Sequence, residues 1–247
     1  KENYIVNSVF NFLAKKITLK SADRLRVVNS TEKLKYIDKL KIRESIIDIA
    51  PVGIPDKIEC SSQDISNFKE FHKIPKDKFI IGWAGRFVKL KRLDLIFKAI
   101  SNSKFKDEIV LLLAGDYLKS EYKIDSLCVE SNIRVIYTGV LEKSEMPLFY
   151  NSLDLYIQAS LYEGASVAIQ EALIYKTPVL ASRIPGSIDQ IKDGENGYLF
   201  ERKKELVYLI DGLFPNKNKL EKFNFKNDNS KDALAEVINS ISFTSYD

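Results

Sequence analysis

From Phe79 onward the chain alternates short β-branched runs with amphipathic stretches, and this alternation restricts the fold more than any other feature of the sequence. Phe79-Ile80-Ile81-Gly82-Trp83 reads as a buried strand, and Lys91 to Ile100 as a helix with Leu93, Ile96, Phe97 and Ile100 at helical spacing. Further strands are expected at Ile109 to Leu113, Arg134 to Tyr137, Leu153 to Gln158, Pro178 to Ala181 and Tyr198 to Phe200. The stretches between them read as helices at Ser120 to Val129, Ser144 to Tyr150, Ser166 to Tyr175 and Ser187 to Ile191, with Lys204 to Leu213 after the last strand. Strands that alternate with helices form a parallel sheet covered on both faces, because right-handed crossovers place the helices there. The expected fold is α/β, a doubly wound, Rossmann-like parallel sheet over about residues 76 to 215. Such sheets bind ligands at the carboxyl ends of their strands, where helix N-termini also point.

The first 75 residues do not repeat this pattern. Tyr4 to Leu19 and Thr31 to Leu40 read as helices, with Arg26-Val27-Val28 as a strand between them, and Pro51, Gly53 and Pro55 then open a polar stretch. The expected organisation is residues 1–50 as the remnant of a second α/β domain, 51–75 as a linker, and 76–247 as a ligand-binding domain closing with a helix over Asp232 to Ile241. A chain that starts at Lys1 is read as cut from a longer protein.

Composition narrows the class. An apolar fraction of 45% without low-complexity tracts excludes disorder. Two cysteines, Cys60 and Cys128, make no disulfide framework and fit a reducing compartment, so the expected location is cytoplasmic. No apolar run reaches the eighteen or so residues of a membrane span, and Tyr4 to Leu19 is broken by Asn7, Asn11, Lys15 and Lys16. Basic residues from Phe10 to Lys20 offer either a peripheral contact with the cytoplasmic face of an anionic membrane or a helix packed on another domain. The net charge of +4 is mostly lysine and dispersed, which argues against a nucleic-acid partner. His72 is the only histidine and reads as a solvated linker side chain, not as part of a metal site or a Ser-His-Asp triad.

Three strand ends carry residues with chemistry. Gly85 permits close backbone approach, Arg86 offers a planar fork to phosphate oxygens, and Lys91 adds a point charge; the competing reading is a solvated basic loop. In Glu163-Gly164-Ala165-Ser166 the serine can cap the following helix, and the small residues leave backbone N–H groups for an anion or a sugar hydroxyl. Glu171, on the second turn, can accept a pair of hydrogen bonds from the hydroxyls of a ribose, or be an ordinary helix carboxylate. Its apolar neighbours Ile169, Ala172, Leu173 and Ile174 favour a buried carboxylate, which needs partners. Thr138-Gly139-Val140 ends a strand in glycine and can admit a flat base.

In order, these segments resemble the C-terminal half of the retaining glycosyltransferases of family 4, which have the GT-B fold. The matching features are Ala84-Gly85-Arg86…Lys91, Leu113-Ala114-Gly115-Asp116, Tyr137-Thr138-Gly139 and Ala159-Ser160-Leu161-Tyr162-Glu163-Gly164. They continue with Glu171-Ala172-Leu173, Thr177-Pro178-Val179-Leu180-Ala181 and Asp193-Gly194-Glu195-Asn196-Gly197. Glu163 and Glu171 match the family's glutamate pair separated by seven residues.

The resemblance implies transfer of a sugar from a nucleotide diphosphate sugar to a glycan or lipid-linked acceptor with retention of anomeric configuration. It implies Arg86 and Lys91 as the pair that holds the diphosphate, Glu163 as a contact of the donor sugar, and these three as the catalytic set. It places Glu171 on the ribose, Gly164, Ala165, Ser166 and Val167 along sugar and phosphate beside Gly85, and the base near Gly139 and Val140. No cofactor and no metal are expected, since no Asp-x-Asp pair ends a strand. The alternative is a catalytically silent module that binds a nucleotide sugar. Ala165, Arg92 and Ser187 stand where the family usually has a bulky residue and two glycines, and His72 does not match the family's active-site histidine.

Overall fold

The computed structural model describes residues 18–19, 21–50, 53 and 56–216. The helices expected over Tyr4 to Leu19, apart from its last two positions, and over Asp232 to Ile241 lie outside them. The chain divides after Gly53 into two compact units.

The smaller unit contains a βαβ element. Strand β1 (Leu25–Val27) pairs in parallel with β2 (Ile47–Ile49), and helix α1 (Ser30–Leu40) connects them. Asn29 caps α1 by accepting from Glu32 N at 2.7 Å. Val27, Ile42 and Ile47 are buried between the helix and the strands.

The larger unit holds β3 (Phe79–Ala84), β4 (Ile109–Ala114), β5 (Arg134–Gly139), β6 (Leu155–Gln158), β7 (Val179–Ser182) and β8 (Gly197–Phe200) in one parallel sheet of order β5-β4-β3-β6-β7-β8. Counted from β3 this is the 3-2-1-4-5-6 order of doubly wound nucleotide-binding sheets. The expected α/β fold is therefore the observed one. Every residue of β3, β4, β6 and β7 is buried, which is why these strands read as continuous apolar runs.

Alternate residues of β3 enter opposite layers. Phe79, Ile81 and Trp83 face a core built with helices α3 (Leu93–Ser101) and α8 (Lys203–Leu213), and Ile80 and Ala84 face the other layer. That second layer is made by α2 (Ser62–Phe71), α5 (Met146–Asn151) and α6 (Val167–Ile174), through Phe68, Phe149, Tyr150, Ile169 and Ala172. Each fully buried large apolar side chain stabilises the fold by about 1.5–3 kcal/mol. The remaining helices are α4 (Ile124–Ser131) and the short α7 (Pro185–Ile188).

Local chemistry shifts several boundaries. Helix α2 occupies the middle of the 51–75 stretch expected as linker, started by a capping box in which Ser61 Oγ accepts from Asp64 N (3.1 Å) and Asp64 Oδ2 accepts from Ser61 N (3.2 Å). His72 ends this helix with its ring 4.4 Å from that of Phe68; burial lowers its pKa, and Glu145 opposes the shift. The helix expected from Lys91 begins at Leu93, because Lys89–Lys91 form a 3-10 turn and Arg92 takes a left-handed conformation at φ 49°. The helix expected from Ser120 begins at Ile124, because Glu121 N donates instead to Phe87 O at 2.8 Å. Among the described residues, no helix is long and apolar enough to cross a membrane.

Candidate functional site

At the carboxyl edge, β3 and β6 are neighbours whose connections run to opposite sides of the sheet, so a crevice opens between their ends. The loop after β3 carries Gly85, Arg86 and Lys91, and the segment after β6 carries Ser160 and Glu163.

The rim of this edge is held by main-chain groups. Gly85 N donates to Ala114 O (3.0 Å) and Gly115 N to Gly139 O (2.8 Å), which ties the turns after β3, β4 and β5 together. The turns are in such contact that a Cβ on Gly115 would lie 2.2 Å from Gly85 O. The β3 loop is anchored below by Phe87, buried with its ring 4.9 Å from Trp83. Glu121 Oε2 accepts from Lys89 N (2.7 Å), Tyr122 OH donates to Lys89 O (3.2 Å), and burial is the leading cause of a Tyr122 hydroxyl pKa pushed up to about 12. Across the crevice, Leu161 N donates to Leu90 O at 2.8 Å.

That bond brings the basic loop onto the acidic one. Lys91 Nζ forms an ion pair with Glu163 Oε1, with side-chain exposures of 18% and 14%. Gln158 Nε2 (2.9 Å) and Ser160 Oγ (2.7 Å) donate to the same oxygen. Helix α7 closes the other side of the loop: a Cβ on Gly186 would lie 2.6 Å from Glu163 O. Arg86 is exposed, and its side chain has no hydrogen bond or ion pair among the described residues. Its charge is therefore available to an anion in the crevice, whereas that of Lys91 is shared with Glu163.

Glu171 projects from α6, which Ser166 caps by accepting from Ile169 N at 3.3 Å. Tyr150 OH, from α5, donates to Glu171 Oε2 at 2.9 Å. Burial raises the Glu171 pKa, while the Tyr150 hydrogen bond and the Lys143 charge oppose the rise. Burial likewise pushes the Tyr150 hydroxyl far above its usual range, so it stays a donor. Gly164 and Ala165 are partly exposed, Ser166 is buried, and Val167 is exposed at the start of α6. At the end of β5, Val140 is exposed and a Cβ on Gly139 would meet nothing within 4 Å, so the space there is open.

The residues singled out in sequence thus end or follow β3, β5 and β6 of one sheet, or lie on α6 behind β6, with Lys91 and Glu163 in direct contact although 72 positions apart. Sequence reasoning did not pick out Tyr150, Tyr156, Gln158 or Ser160 as part of the site. For the last three the signal was present in β6 and the two residues after it, where Tyr156, Gln158 and Ser160 alternate with the apolar Leu155, Ile157 and Ala159. Buried polar side chains in such a run must find partners.

A family model for the group 1 glycosyl transferases matches residues 64–241. The capsular polysaccharide biosynthesis glycosyltransferase CapM of Staphylococcus aureus is 26% identical over 197 residues, which is 77% of this chain and 51% of CapM. The poly(ribitol-phosphate) alpha-N-acetylglucosaminyltransferase of Staphylococcus aureus is 32% identical over 143 residues, 56% of this chain and 29% of that enzyme. The chain spans about half the length, or less, of these two curated relatives. Among solved structures, Anabaena HepE in complex with UDP and glucose superposes with a TM-score of 0.75 at 18% identity, over 93% of this chain and 66% of HepE. That likeness establishes the fold, and the family match covers most of the chain: the protein belongs to the group 1 glycosyl transferases.

Proposed function

We propose that this protein transfers a sugar from a nucleotide diphosphate sugar to a glycan or lipid-linked acceptor at the cytoplasmic side of a membrane, with retention and without a metal ion. The observation that carries this reading is the ion pair of Lys91 with Glu163 at the switch point between β3 and β6, with the exposed Arg86 on the same loop after β3. Two cations and one carboxylate leave a net positive crevice, which suits a diphosphate beside a polyhydroxylated ring.

Cleaving the sugar–phosphate bond builds negative charge on the leaving diphosphate and positive character on the sugar ring. Arg86, and Lys91 once it turns from Glu163, stabilise that diphosphate more in the transition state than in the ground state. Backbone N–H groups from Gly164 to Val167, at the N-terminus of α6, act in the same sense on sugar and phosphate. Glu163 accepts from sugar hydroxyls, Glu171 from the ribose, the diphosphate passes Gly85, and the base lies by Gly139 and Val140. Retention rests on the resemblance to the family-4 enzymes. An acceptor of glycan type is supported by the names of CapM and of the poly(ribitol-phosphate) enzyme. A lipid acceptor is supported by the 26% identity with the alpha-monoglucosyldiacylglycerol synthase of Streptococcus pneumoniae.

The test is transfer from UDP- and GDP-sugars to glycan and glycolipid acceptors, with and without chelator, by wild type and Glu163→Ala. Transfer that survives chelation and is abolished in Glu163→Ala, with nucleoside diphosphate binding intact, is the expected result. Chelator-sensitive turnover restored only by a divalent ion contradicts the metal-free reaction. A nucleotide sugar that binds to the intact protein without ever being transferred makes it a silent binding module.

A further inference from the structure

Behind Glu163, on the protein side of the crevice, lies a chain of buried polar groups to which the proposed chemistry gives no role. Tyr156, Gln158 and Ser160 occupy alternate positions and so share one face of β6 and its extension. They are 0%, 1% and 1% exposed. A carboxylate only accepts, so the Gln158 amide nitrogen must face Glu163 Oε1, and it also reaches Ser160 Oγ at 3.0 Å. That orientation turns the Gln158 carbonyl oxygen to Tyr156 OH at 3.0 Å. The Tyr156 hydroxyl is fixed in turn by Ala84, 3.2 Å from its O and 3.4 Å from its N. Ala84 ends the strand whose next residues are Gly85 and Arg86. The relay thus runs from the phosphate-side strand to the sugar-side carboxylate.

Three donors converge on Glu163 Oε1, from Lys91, Gln158 and Ser160, while no donor among the described residues reaches Oε2. One oxygen is saturated and the other keeps its full capacity for a hydroxyl in the crevice. Of the three donors Lys91 alone is charged and flexible, and it is the one that a diphosphate competes for. Gln158 and Ser160 are neutral, buried and carried by the strand.

We infer that Gln158 is a positioning residue, which with Ser160 keeps Oε2 of Glu163 directed at the donor sugar when Lys91 swings to the diphosphate. This rests on the donor-site reading above. It separates two contributions to donor affinity: the diphosphate depends on Arg86 and Lys91, and the gain from the sugar depends on the buried relay.

The experiment measures dissociation constants of wild type, Gln158→Leu and Ser160→Ala for UDP against UDP-glucose and for GDP against GDP-mannose, using the pair that wild type binds. Gln158→Leu keeps a branched side chain of similar bulk, one bond shorter, and removes the donor. It is expected to leave the diphosphate constant within about twofold and to weaken the nucleotide sugar about tenfold, the scale of one hydrogen bond to a charged group. Ser160→Ala, a gentler change, is expected to act about threefold in the same direction. Equal losses for diphosphate and nucleotide sugar in folded Gln158→Leu, or no loss of sugar preference, overturn the inference and leave the donor site standing. If Gln158→Leu does not fold, Ser160→Ala decides alone on the same criterion. A wild type that gains nothing from the sugar also overturns it, and a wild type that binds neither pair overturns the donor-site reading and the inference together.

Discussion

Gly186→Ala tests the packing that holds Glu163 from the opposite side. The added Cβ would lie 2.6 Å from Glu163 O and 2.7 Å from its Cβ, where ordinary contacts begin at 3.4 Å. The first contact is therefore about 0.8 Å too short, 3.4 less 2.6, and it is with backbone that cannot turn aside. Overpacking of this kind costs about 1–3 kcal/mol, and each kcal/mol lowers the melting temperature by about 2–4 °C in a chain of this size. The displacement falls on Glu163 itself. A misplacement of about 1 Å at a reacting centre costs about 10²-fold in rate, so turnover is expected to fall 10- to 100-fold. Arg86 lies on the β3 loop and is not pushed, so nucleoside diphosphate affinity stays within about twofold by calorimetry. A Gly186→Ala protein with wild-type melting and wild-type transfer would show that α7 does not abut Glu163 and would refute the reasoning.

Arg86→Ala is expected to weaken a nucleoside diphosphate by ten-fold or more while leaving the nucleoside nearly unchanged, since one charge-assisted contact is worth about 1.5–3 kcal/mol; equal losses in a titration contradict a phosphate role. Glu171→Gln is expected to raise thermal stability at neutral pH and to weaken ribonucleotide binding. The sign follows from the raised carboxyl pKa: between the ordinary carboxylate value and the raised one the folded state holds more protons, so stability falls as pH rises through that window. Melting curves of wild type and Glu171→Gln that run parallel from pH 4 to 8 contradict the burial of this group. Arg92→Gly is expected to stabilise the fold by about 1 kcal/mol, or about 2–4 °C, because Arg92 sits at φ 49°, ψ 46°, where a side chain is strained. A lower melting temperature shows that the Arg92 side chain contributes more than its backbone costs.

The doubly wound sheet was legible because parallel strands covered on both faces need unbroken apolar runs, and Phe79 to Trp83 or Ile109 to Leu113 can hardly be read otherwise. Strand β2 was not, since three residues are too few to show alternation. Helix α2 was obscured by the nearby Pro51, Gly53 and Pro55, although Ser61 and Asp64 carried a capping signal at the right spacing. The first line of the candidate site was legible because charged residues at strand ends stand out against an apolar background. Tyr150 and Gln158 were not, because in one dimension a buried polar side chain cannot be told from a solvated one. The contact of Lys91 with Glu163 depends on the adjacency of β3 and β6, which is a property of the strand order.

The ties between Gly85 and Ala114 and between Gly115 and Gly139 bear on how such a protein can change its ligand over evolutionary time. Amide-to-carbonyl links are indifferent to what hangs from the neighbouring Cα atoms. Val140 can therefore be exchanged for other residue types while the ledge on which it stands keeps its shape. Specificity becomes a matter of swapping the fittings on a fixed frame, and divergence between relatives is tolerated wherever it spares that frame.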